Sequence, residues 1–188
     1  DAAFSGCTWL KNIVIPQGVR SIGWEAFDKC ESLTSIVLPE SVTDIDMFAF
    51  AGCSSVKRLV FPKTIQTIFG NSFPFLTSLE NIEVDSDNPY YHSKGNCLIE
   101  TESKTLIMGC KSSIIPTDGS VVTIGNEAFW GCKGLTDVVL GSNVETIGLA
   151  AFYGCSSLRS SKTETIFQMQ PLKKALLPLP NCLDCFIS

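Results

Sequence analysis

The sequence predicts an α/β repeat solenoid: a right-handed coil of 23-residue repeats with short parallel strands, helical or 3-10 turns, and one inserted β-hairpin. Three observations carry that expectation. Ala-Phe pairs begin at Ala3, Ala26, Ala49, Ala128 and Ala151, and Ser72-Phe73 fills the slot after Ala49. The steps among the first four of these slots, and from Ala128 to Ala151, are each 23 residues. A cysteine stands three residues after the Phe of each Ala-Phe pair, at Cys7, Cys30, Cys53, Cys132 and Cys155. Apolar columns complete the unit. The first is Leu10, Leu33, Val56, Leu135 and Leu158. Pairs such as Ile36/Leu38 and Leu59/Phe61 follow, and then pairs such as Val42/Ile45 and Ile65/Ile68.

A period of about 20–29 residues with L-x-x-I-x-L spacing is the pattern of a leucine-rich-repeat coil. In "LTSIVLP", Ile36 and Leu38 alternate with Ser35 and Val37, as in a short strand with one face inward. Pro39 lacks a backbone donor and stops that strand. "SVTDID" is a second extended run that points Val42 and Ile45 inward. The Ala-Phe-x-x-Cys stretch reads as a helical or 3-10 turn in which the small Ala allows close approach and the Phe fills the centre. Gly6, Gly52, Gly131 and Gly154 precede the Cys in four of five copies, where a residue able to reach positive φ is needed. One coil buries too little apolar surface to stand alone, so copies must stack.

Residues 1–84 read as coils. From Ser72 to Ala128 is 56 residues, two coils plus ten, and the excess places an inserted hairpin unit at residues 85–113. Its strands are expected at Asn96 to Ile99 and Thr105 to Met108, with a turn at Glu102-Ser103. That register sets Cys97 opposite Met108. Residues 114–160 return to the repeat. The tail, residues 161–188, has no Ala-Phe unit and reads as a cap, a short helix or a disordered end.

Composition excludes several classes. Hydrophobic residues make up 45% and charged residues 18% of 188, which argues against general disorder. A net charge of −5 argues against nucleic acid, whose phosphates call for a basic patch. No run of 18 apolar residues offers a membrane span. The opening "DAAFSGCTW" has neither a basic start nor an apolar stretch, so it does not read as a signal peptide.

The unit "IPQGVRSIGWEAFDKCESL", repeated as "VVTIGNEAFWGCKGL", resembles the BspA-like leucine-rich-repeat family. "NPYYHSKGNCLIETESKTLI" is similar to a hairpin unit found between repeats of bacterial members. The likeness covers about residues 2 to 160. It implies a surface or secreted protein of bacteria or protozoa and a part in adhesion to host proteins, cells or other microbes. It implies no catalytic residues.

The candidate chemistry is sparse. The five repeat cysteines read as a buried ladder of small hydrophobes, since parallel side chains on stacked coils have poor disulfide geometry. Cys97 and Cys110 flank the hairpin and either pair or stay free. Cys182 and Cys185 form a C-x-x-C without the two further ligands zinc needs. His92, the one histidine, reads as a solvated loop residue, so no Cys-His or Ser-His-Asp site is expected. Asp85 to Asn88 carries calcium-type oxygens without calcium-loop spacing and reads as a turn. Trp9, Trp24 and Trp130 sit at loop-like positions, either anchoring a partner or packing between coils.

The outward strand positions say more. One column is Asn12, Ser35, Arg58, Asn81 and Asp137; the other is Val14, Val37, Val60, Glu83 and Val139. An exposed valine stripe either binds a partner or props the sheet through β-propensity. The expectation is a non-enzymatic, cofactor-free module that binds a host or microbial surface protein or glycan. It is expected to be a monomer located outside the cell or at its surface. The alternative is a structural spacer with no ligand of its own.

Overall fold

The structure, a computed structural model, describes residues 1–159. Eleven short strands form within them: β1 Ser21–Ile22, β2 Ile36–Val37, β3 Asp44–Ile45, β4 Arg58–Phe61, β5 Thr67–Ile68, β6 Asn81–Val84, β7 Tyr91–Lys94, β8 Cys97–Glu100, β9 Thr105–Met108, β10 Thr123–Ile124 and β11 Thr146–Ile147. β2, β4 and β6 stack in parallel, with Ile36 against Leu59 and Leu59 against Ile82. β1, β3 and β5 form a second parallel ladder, with Ile22, Ile45 and Ile68 in register. The coils over residues 26–48 and 49–71 thus supply one strand to each ladder, and their inward residues line a shared interior. Leu33, Val42, Ile45, Phe50 and Val56 are all fully buried.

The helical turns expected over the Ala-Phe segments do not form; among the described residues the segment is a run of hydrogen-bonded turns. The reason lies in where alternate N–H groups point. Those of Ala26, Asp28 and Cys30 bond three residues back, to Gly23, Glu25 and Phe27. Those of Glu25, Phe27 and Lys29 donate instead to Met47, Ala49 and Ala51 of the next coil, at 2.7–3.2 Å. A helix needs every N–H directed along its own axis, so lateral stacking and helix compete for the same donors. Positive φ at two slots per coil turns those donors sideways. Gly6, Gly52, Gly131 and Gly154 take φ of 69 to 75°, as the sequence requires, while Lys29 adopts 56° and Glu25 52°.

Phenylalanine fills the centre of the stack. The rings of Phe4, Phe27, Phe50 and Phe73 lie parallel with centroids 5.2, 5.2 and 5.5 Å apart, close to the coil spacing. Phe129 and Phe152 repeat the arrangement at 5.1 Å. Cysteine does more than fill space. The thiols of Cys30, Cys53 and Cys155 donate to the carbonyls of Phe4, Phe27 and Phe129, each 26 residues back, at 3.1–3.2 Å. Cys7 breaks the expected buried ladder: it is exposed, because no coil covers its side of the stack among the described residues.

Between the two runs of coils, β7, β8 and β9 form an antiparallel meander. β8 and β9 occupy the expected hairpin; β7 is an additional strand. β9 also pairs in parallel with β10, which pairs with β11, so the meander hands the ladder on to the later coils. β8 is buried on both faces. Leu98 joins the core of the first coils, whereas Cys97 and Ile99 join that of the later ones. A bulge between Leu98 and Ile99 shifts the register, so Met108 faces Leu98 and not Cys97.

Asn88 fastens the meander to the first coils. Its amide donates to Pro62 and Ile65 carbonyls at 3.0 Å, and its Oδ1 accepts the N–H groups of Tyr90 and Tyr91 at 2.8 Å. The Tyr91 hydroxyl then accepts the N–H of Ile68 at 3.0 Å.

Candidate recognition surface on the strand face

The parallel register of β2, β4 and β6 sets Val37 beside Val60 and Val60 beside Glu83, with Arg58 beside Asn81. Alternation along each strand makes these the outward neighbours of buried Ile36, Leu59 and Ile82. Val37 is 68% exposed, whereas Val60, Asn81 and Glu83 are half-buried by their neighbours. The Arg58 guanidinium grips Glu83 with two bonds, Nε to Oε1 at 3.3 Å and Nη2 to Oε2 at 2.5 Å. That grip holds the Glu83 carboxyl below its usual range.

The remaining predicted residues lie outside this three-strand ladder. Ser35 precedes β2 and is exposed. Asn12 and Val14 belong to the preceding coil, and Val14 is 89% exposed. Asp137 and Val139 lie beyond the meander, both exposed, with Thr136 donating to Asp137 at 3.1 Å. The sequence reading missed one member of the column. Ile114, 77% exposed, precedes buried Ile115 and Pro116 as Val37 precedes Leu38 and Pro39. The match between "IIP" and "VLP" was the available signal. Also unforeseen is a groove of about 200 Å³ beside the valines, with Leu38, Phe61, Pro62 and Val84 in its floor and Glu40 and Asp85 on its rim.

The other candidates stay apart from this surface. Cys97 and Cys110 are free thiols. Burial pushes the Cys30 thiol to about 11 and those of Cys53 and Cys97 to about 12, which disfavours the thiolate a nucleophile needs. His92 is not a loop residue: it lies half-buried in β7, with Nδ1 3.0 Å from Thr101 Oγ1, and burial lowers its pKa. Among the described residues, no group of three His, Cys, Asp or Glu side chains is placed to hold a metal ion. Asp85 to Asn88 is a turn closed by Asn88 N–H on Asp85 O at 3.0 Å. Trp9 is 88% and Trp24 45% exposed, whereas Trp130 packs between Phe75 and Tyr153. Cys182 and Cys185 lie outside the described residues, as does the tail of residues 161–188.

The family model for the BspA type leucine rich repeat region matches residues 1–117 and 104–171, in six copies. The chain belongs to this family. Among solved structures, this BspA-type chain is similar to a leucine rich cell surface protein from Faecalibacterium prausnitzii, at 31% identity and a TM-score of 0.75 over 84% of this chain and 42% of that one. A leucine-rich repeat protein from Eubacterium ventriosum matches at 26% identity and a TM-score of 0.67, over 86% and 49% of the two chains. The pneumococcal vaccine antigen PcpA shares the fold, at 23% identity and a TM-score of 0.62 over 77% and 43%. The chain therefore spans less than half the length of these three neighbours. No match is found among the curated proteins. Among the described residues, no helix is long and apolar enough to cross a membrane.

Proposed function

We propose that the chain is a non-enzymatic recognition module of a cell-surface or secreted protein, working as a monomer in adhesion. It binds a host or microbial surface protein or glycan along the strand face. The observation that carries this reading is the apolar Val37–Val60 stripe, exposed at Val37 and half-buried at Val60, beside the Arg58–Glu83 pair. Solvent-facing apolar area that the core does not need is available to a partner. Likeness to a cell surface protein of Faecalibacterium prausnitzii supports the location.

A binding array of extracellular-matrix proteins and microbial glycans tests the proposal. Saturable binding that Val37→Asp with Val60→Asp abolishes supports it; binding indifferent to both changes removes the strand face as the site. The second reading, a spacer without a ligand, draws on the in-register pairing of the two valines, which also props the sheet. A spacer shows no saturable ligand in the same array.

A further inference from the structure

We infer that the groove beside the valine stripe receives an extended, cationic peptide segment of a protein partner. The inference rests on the strand-face reading above and adds the chemistry of the occupant. The groove runs across β2, β4 and β6, so its floor spans two interstrand steps, about 10 Å. An extended chain rising about 3.4 Å per residue covers that length with three residues. Val37 and Val60 offer it apolar contact. Charge complementarity names the rest of the occupant. Glu83 is neutralised by Arg58, but Glu40 and Asp85, on the coils at opposite ends of the groove, are exposed and belong to no ion pair among the described residues. Two carboxylates outside any of these ion pairs, bordering an apolar floor, repel an anionic ligand and attract Lys or Arg side chains flanked by apolar ones.

The test is fluorescence anisotropy of the full chain with two labelled pentapeptides, one alternating Val with Lys and the other Val with Glu. The Lys peptide binds saturably, the Glu peptide does not, and raising the salt above about 0.15 M weakens the complex. Glu40→Gln with Asp85→Asn weakens the Lys peptide by about tenfold. The same loss of two charges off the groove, Glu31→Gln with Glu145→Gln, leaves it unchanged. Equal affinity for both peptides, or equal loss from both pairs of substitutions, overturns the inference. If an array partner depends on Val37 and Val60 but ignores Glu40 and Asp85, as a neutral glycan would, the strand-face reading survives and the cationic occupant falls. If no partner depends on the valines, both fall.

Discussion

The thiol of Cys53 donates to the carbonyl of Phe27 across 3.2 Å, and the same carbonyl accepts the N–H of Cys30 at 3.2 Å. Cys30, Cys53 and Cys155 each link their own coil to the aromatic centre of the one before, whereas the Cys132 thiol donates to the carbonyl of Gly109 at 3.7 Å. Valine has a similar bulk and alanine fits the space, yet neither offers a donor.

Replacing that thiol should cost stability where it is enclosed. Cys53→Ala removes a buried sulfur and a weak hydrogen bond, and should lower unfolding free energy by about 1–2 kcal/mol in urea titration. Cys7 is exposed, and Cys7→Ala should stay within about 0.5 kcal/mol. Equal costs at both sites would contradict the linking role.

Gly109 lies where a methyl group meets an aromatic ring. A Cβ built there falls 1.9 Å from Cε1 of Phe129, at the point where the meander rejoins the later coils. Gly109→Ala should destabilise by about 2 kcal/mol through overpacking. Adding Phe129→Leu should recover part of the loss, and thermal unfolding of the single and double variants measures it.

Asn88 bonds four backbone groups with one side chain. Asn88→Ala leaves buried donors and acceptors unpaired and should cost about 3 kcal/mol. Amide exchange should quicken first at Tyr90, Tyr91 and Ile68, ahead of the later coils. Uniform quickening would contradict the fastening role.

Much of this was legible in the sequence because it is written several times. The inward columns, the glycine slot before cysteine and the two hairpin strands each follow from local residue type and spacing. What stayed hidden depends on partners far along the chain. The Ala-Phe turns fail to become helices because neighbouring coils take alternate donors, a choice no single repeat encodes. Tyr91, His92, Ser93 and Lys94 form β7 without apolar alternation, and the bulge at Leu98 defeats simple register counting. Asn88 reads as a turn residue until the carbonyls of Pro62 and Ile65 come within reach. On the strand face, outward direction was readable. Val60 and Glu83 were harder to place, because their partial burial depends on side chains from adjacent coils.

Glu127 ties stability to pH. Its Oε2 is buried without a hydrogen-bond partner, in a small cavity between the first and later coils, and burial raises its pKa. A raised carboxyl favours the fold when protonated, so this contribution is fully present below the unfolded value of 4.5 and fades as pH rises through the folded value. Glu127→Gln should therefore stabilise by about 0.5–1 kcal/mol at pH 7. The advantage should shrink toward zero below the unfolded value. A gain that does not vary with pH would rule out the carboxyl as its source.

Methyl and indole NMR of the chain, titrated with a partner, separates the strand face from the turn side. For recognition along the strand face, the methyl signals of Val37 and Val60 should move first and saturate together, while those of buried Val42 and Val56 hold still. Shifts confined to the turn side, at Trp24, Met47 and Leu149, with both outward valines unmoved, would contradict recognition along the strand face.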